Sequence, residues 1–278
     1  MSLTVFFAVL CAALLHALWN ALIKTGADKQ TAMMVLSLGN ALTGLLVVCF
    51  RPWPAAEVWV WILASGAIHA AYQMFLAYAY AQGDLSRVYP LARGGAPMIV
   101  LAVSLALALD PVTGVEVAGI LLLGAGLAVM TRGIFTDAES RRMIPFAAGS
   151  ACATAGYTLV DGVGVRVSGD ALAYTGWLLI AAAVFYVPVA LGLRGRQVIP
   201  RGARVWGTGL IAGAFSFAAY GIVVWALGQA PIALVAALRE TSILFAVGLG
   251  IVVFKERLTR AKLSAAVLIV AGVILTRI

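Results

Sequence analysis

The chain reads as an all-α integral membrane protein, with ten transmembrane helices arranged as two inverted five-helix repeats. Three observations lead there. Of its 278 residues, 63% are hydrophobic and only 11% charged, whereas a soluble domain carries about 25% charged residues. The apolar residues fall into ten runs, most of them near the length a helix needs to cross a bilayer. The second half of the chain also repeats landmarks of the first, in register.

The ten runs are 3–24, 31–50, 57–82, 85–109, 113–131, 143–166, 170–193, 203–228, 231–254 and 259–276, each bounded by charge, Pro or Gly. A membrane barrel would show short alternating segments instead, so helices are expected throughout. Met1-Ser2-Leu3 has no basic n-region, and the first run is expected to be a span and not a cleaved leader. Small residues mark packing faces: Gly209 and Gly213 form a GxxxG pair, and Gly119, Gly124 and Gly126 crowd the fifth run. Cys11, Cys49 and Cys152 lie in apolar runs without metal-ligand spacing, so they read as small packing residues. Gly207, Gly209 and Ala212 have the spacing of a dinucleotide fingerprint, but no strand precedes them. No cofactor, metal or nucleic acid is expected. Nor is an enzyme, since HExxH and GxSxG are both missing.

Orientation follows from the nineteen Lys and Arg. Fourteen fall in the connections after runs 1, 3, 5, 7 and 9 or at their edges. Three, Arg51, Arg166 and Arg277, fall on the other side, and two, Arg93 and Arg239, lie inside runs. The positive-inside rule then places both termini outside, in a bacterial inner membrane.

The repeat is weak in identity but long in register. A shift of 145 lays Val60-Trp61 on Val205-Trp206 and Tyr80 on Trp225. A shift of 146 then lays Arg93 on Arg239, Asp110 on Glu256, Thr113 on Thr259 and Gly126 on Gly272. The expected units are 1–133 and 143–278. Each holds five runs, an odd number, so one must be inserted upside down relative to the other, the pattern of secondary transporters.

Three local features carry a resemblance. Trp19-Asn20 is followed by Lys24 in the first run. The ninth runs into Lys255-Glu256-Arg257-Leu258-Thr259. The tenth holds Ala271-Gly272-Val273-Ile274-Leu275. In this order and spacing the chain resembles the drug/metabolite transporter superfamily, in its EamA-type branch. The resemblance covers the whole chain. It implies two five-helix repeats, alternating access around a central cavity, and a small-molecule substrate of unspecified class. It also implies pore contacts at Trp19 and Asn20. The small multidrug relatives couple to protons through a glutamate in the first helix. This chain has none there, so that residue is not carried over.

Polar residues inside the runs are the candidate site. An arginine at the bilayer centre costs about 2.5–3.5 kcal/mol even on the lenient scale, so it normally faces protein or a wet cavity. Arg93 and Arg239 occupy equivalent depths, and Arg239 opens the polar stretch Arg239-Glu240-Thr241-Ser242. Glu240 is read as a proton-coupling carboxylate or as a fixed partner for Arg93 or Lys24. It points about 100° from Arg239 on a helix and need not pair with it. In the first run His16, Trp19, Asn20 and Lys24 fall near one face; they line a cavity or, for Lys24 above all, snorkel and pack. In the third, His69, Tyr72, Gln73 and Tyr80 form one stripe, a cavity wall or a buried structural network. His69 is the second coupling candidate. Tyr157 and Thr158 match Trp19 and Asn20 at a shift of 138; Asp161 is read as a pathway carboxylate or, in preference, as an interfacial residue near Arg166; and Tyr220 adds lining or anchors a span end.

The basic excess points to a secondary transporter for a small zwitterionic or anionic organic metabolite, amino-acid-like, with proton coupling as an option. The alternative is an organic-cation transporter in which the same aromatics form a cage, or a non-transporting structural membrane protein. Its partners would be lipid, a small molecule and protons, in a monomer or homodimer.

Overall fold

The computed structural model describes residues 1–24, 28–82, 91–130, 140–252, 255 and 259–277. Among them there is no strand. The helices are α1 Leu3–Lys24, α2 Lys29–Val48, α3 Trp59–Gln82, α4 Ala96–Ala106, α5 Gly114–Met130, α6 Ser140–Ser168, α7 Ala171–Arg194, α8 Ala203–Leu227, α9 Ile232–Arg239, α10 Ser242–Val252 and α11 Arg260–Leu275. Together α9 and α10 make up the ninth run, so ten spans result. Seven helical segments are long and apolar enough to cross a membrane; Leu91–Ala106 and Gly114–Met130 are shorter. The protein is an all-α membrane protein. Its outward faces carry apolar side chains such as Phe7, Leu46, Val184 and Val267, each more than half exposed, as suits contact with lipid tails.

Two runs expected as continuous helices are interrupted. Residues 91–94 form a helical turn, the ladder breaks at Gly95, and α4 starts with Pro97 in its first turn. The second break is at Glu240-Thr241. There the bonds shorten to i→i−3: Glu240 N–H donates to the Ala237 carbonyl at 3.0 Å and Thr241 N–H to that of Leu238 at 3.1 Å. The Thr241 hydroxyl donates to the same Leu238 carbonyl at 2.7 Å. Local tightening and a hydroxyl keep the freed backbone groups satisfied where no water reaches. The breaks at Gly95 and at Glu240-Thr241 come one or two residues after Arg93 and Arg239, and Gly95 meets Thr241 at the 146-residue shift, so the sequence repeat is also a repeat of helix discontinuity.

The halves interlock with an inverted two-fold relation. First-half helices pack chiefly on second-half helices: α3 on α6 and α7, α8 on α1 and α2, α2 on α7, α5 on α11. Exchanging each helix with its repeat mate maps this set onto itself. The mates α2 and α7 run antiparallel, sealed at both ends by matching elements. Asp28 accepts from the first turn of α2 and pairs with Arg194 at the end of α7 at 3.3 Å; Asp170 caps α7 and pairs with Arg51, just past α2, at 3.5 Å. The mates α5 and α11 also run antiparallel and touch through glycines. A methyl on Gly119 would lie 2.8 Å from the Gly272 carbonyl oxygen, and one on Gly126 3.0 Å from that of Ala265. The contacts 119–272 and 126–265 exchange under the 146-residue shift. Thr113 and Thr259, paired by that same shift, both cap helix N-termini through their hydroxyls, Thr113 in a capping box with Glu116.

Candidate functional site

The interface between the halves buries a polar group. Arg93, 1% exposed, and Glu240, 2% exposed, form a two-pronged ion pair. Arg93 Nη2 donates to Glu240 Oε1 at 3.0 Å and Nε to Oε2 at 3.3 Å. The break after α9 aims the two adjacent side chains apart. Arg239 turns to α6, where Nη1 donates to Thr158 Oγ1 at 3.4 Å and Nη2 to Tyr157 Oη at 3.3 Å. Its guanidinium also lies 5.8 Å from the Tyr157 ring centre and 5.4 Å from that of Tyr220. Among the described residues Arg239 has no carboxylate within ion-pair distance; its direct partners are neutral. This matters because a buried cation held only by hydroxyls and ring faces keeps most of its capacity for an anion.

A small cavity opens beside the two arginines, lined by Ala12, Ala13 and His16 of α1, by Arg93 and Arg239, and by Ala219, Tyr220 and Val223 of α8. Its space is of the order of a single water. The alanines leave it open, and the helix breaks deliver both guanidinium groups to it. His16 also meets Trp19 edge to face at 4.9 Å.

Next to Arg239 lies an aromatic stack. The His69 and Tyr157 rings are 3.9 Å apart and nearly parallel; Tyr220 meets both edge-on, and Tyr72 meets Tyr157 at 5.6 Å. His69 Nδ1 lies 3.1 Å from the carbonyl oxygen of Ser65, one turn earlier. Behind the stack is Asp161, wholly buried. Tyr174 Oη donates to its Oδ1 at 3.0 Å, and Tyr220 Oη donates to its Oδ2. The Ser65 hydroxyl lies 3.2 Å from His69 Nδ1.

The structure thus brings together His16, Arg93, Tyr220, Arg239 and Glu240, with His69, Tyr72 and Tyr157 in the adjoining layer. Trp19 packs in an apolar cluster with Met33, Ala70 and Tyr186. Asn20 donates to the carbonyl of His16 on its own helix at 2.8 Å, and Gln73 is buried with no partner for its Oε1 among the described residues; none of these three lies on the cavity wall. The side chains of Tyr80 and Lys24 lie outside the described residues. The expectation for Asp161 is corrected. Arg166 pairs with Asp110 at 2.8 Å instead, because Asp161 lies more than a turn earlier on α6 and faces α7 and α8. Ser65 and Tyr174 were missed. The signal available was the i, i+4 spacing of Tyr157 and Asp161, which puts both on one face of α6.

Residues 141–278 match the EamA-like transporter family. The second half of the chain therefore carries an EamA-like transporter family domain, a match consistent with the drug/metabolite transporter superfamily. A solved crystal structure of a protein has the same fold, with a TM-score of 0.75 at 20% identity, covering 99% of this chain and 96% of that one. No curated protein matches the sequence.

Proposed function

We propose that the chain is a secondary active transporter that moves a small zwitterionic or anionic organic metabolite by alternating access, built from two EamA-like units at 1–133 and 143–278. Membership of a transporter family supports the class. The observation that carries the substrate class is Arg239: a buried guanidinium, on a broken helix, at a cavity between the halves, with no carboxylate at ion-pair distance among the described residues. A ligand carboxylate or phosphonate would supply it. Glu240 holds Arg93 in the same role, so Arg93 is a second anchor that a ligand could win from Glu240. Glu240 and His69 are candidate groups for coupling protons to this exchange, Glu240 once a ligand has drawn Arg93 away from it. Supporting the repeat boundaries are the paired arginines and the exchangeable glycine contacts. The cation reading has the aromatic layer in its favour, yet the protein's own Arg239 already lies against two of those rings.

Purified protein in proteoliposomes tests the reading. Counterflow is measured with labelled glutamate, serine, 2-aminoethylphosphonate and choline. Saturable exchange of one of the first three, lost in Arg239→Ala and partly kept in Arg239→Lys, is the expected result. Exchange of choline alone would replace it with the cation reading.

A further inference from the structure

We infer that Asp161 is a proton-binding site, and that the Tyr220 hydroxyl links its protonation to anion binding at Arg239. The link to a transported anion rests on the function proposed above; the proton site itself does not.

Among the described residues two acids lie in the polar interior. Glu240 has a guanidinium on both oxygens, so its charge is matched and each oxygen is engaged. Asp161 is as deeply buried, but among the described residues its hydrogen-bond partners are neutral: Tyr174 Oη and Tyr220 Oη. A buried carboxylate needs either a counter-charge or a proton. The groups facing Asp161 are His69 from α3, Tyr157 on its own helix, Tyr174 from α7, Tyr220 from α8 and Arg239 from α9. Of these only Arg239 is a permanent cation, and it bonds Tyr157 and Thr158, not Asp161.

Tyr220 joins the two sites. Its ring lines the cavity and lies under the Arg239 guanidinium, while its hydroxyl donates to Asp161 Oδ2. When a proton from solvent adds to Oδ2, that oxygen becomes a donor. No bond other than the new O–H forms. The Tyr220 oxygen then accepts from Asp161, and its own hydrogen rotates away, free to meet an anion in the cavity. Charge runs the same way. Among the described residues two guanidinium groups face two carboxylates in the interior, and neutralising Asp161 leaves one positive charge in excess beside the cavity. Proton and anion therefore favour each other, and by linkage each raises the affinity for the other equally.

Infrared spectroscopy of reconstituted protein without any substrate tests the site, so its outcome is separate from that of the transport assay. The carbonyl band of a protonated carboxylic acid is followed between about pH 4 and 10, the span over which buried carboxyl groups titrate. The expected result is a titrating band that is lost in Asp161→Asn and kept in Glu240→Gln. Tyr220→Phe, which retains the acid, should move the midpoint and so serves even if Asp161→Asn fails to fold. No titrating band in the wild type, a band lost in Glu240→Gln, or a band unaffected by both Asp161→Asn and Tyr220→Phe overturns the inference.

Discussion

Glu240 grips Arg93 through both carboxylate oxygens across 147 residues of sequence, although Arg239 is its immediate neighbour. The pair ties the ninth span of one half to the fourth span of the other at the point where both helices are broken. Removing one partner leaves the other charge buried and unmatched. Arg93→Ala is therefore expected to cost about 3–5 kcal/mol, read as a lowered melting temperature in detergent. Arg93→Met combined with Glu240→Leu should recover most of that loss. A double variant as unstable as the single would mean that Arg93 stabilises the fold through other contacts.

The glycine contact of α5 with α11 leaves no room for a side chain. A methyl at Gly272 would lie 2.7 Å from both the Gly119 carbonyl oxygen and the Leu123 nitrogen. Gly272→Ala should destabilise by about 1–3 kcal/mol, as overpacking does. Gly207, in α8, would place its methyl in open space, and Gly207→Ala should be neutral or slightly stabilising. Melting curves of the two variants side by side provide the check.

Arg166 ties together one end of the helix bundle. Its guanidinium donates to both oxygens of Asp110, at 2.8 and 3.1 Å, and to the carbonyls of Leu227 and Ala230, each at 3.1 Å. Asp110 also accepts from the Ile232 N–H at the start of α9 at 2.9 Å. The cluster fastens the α8–α9 turn to α6 and to the end of the fourth span. In Asp110→Asn, a cysteine placed at Ala219 on the cavity wall should react faster with an impermeant maleimide added from the Arg166 face. An unchanged rate would show that this face closes by other means.

The charge bias of the connections predicts that both termini face the outside of the cell. Alkaline phosphatase fused after Ile278 should be active, and a green fluorescent protein at the same place dark. The opposite pattern would invert the orientation.

Much of this arrangement was legible before the fold was known. The ten spans follow from hydropathy, and the interlocked halves were foreshadowed by Arg93 with Arg239 and Gly126 with Gly272. Depth and register are periodic properties, and sequence records them well. Partner choice is not periodic. Glu240 had two candidate cations, and which one it meets depends on the break at Thr241, which no propensity places to the residue. The interfacial reading of Asp161 fails for a similar reason. Its burial depends on hydroxyls from α7 and α8, two helices whose rotation about their own axes the sequence leaves open. Trp19 matched Tyr157 in register, yet one packs among methionines while the other faces Arg239.

The antiparallel pairing of α5 with α11 bears on how the molecule is made. The glycine face of α5 finds its chief cover in the last helix of the chain. During synthesis α5 must therefore wait in the lipid, its notched surface bare, while the ribosome makes nearly all of the second half. The first half is therefore expected to stay unfinished until α11 arrives to cover α5. Loss of the final sixteen-residue helix would strand α5 at its own edge, and quality-control proteases would meet an unfinished N-terminal half in place of a shortened but otherwise complete protein.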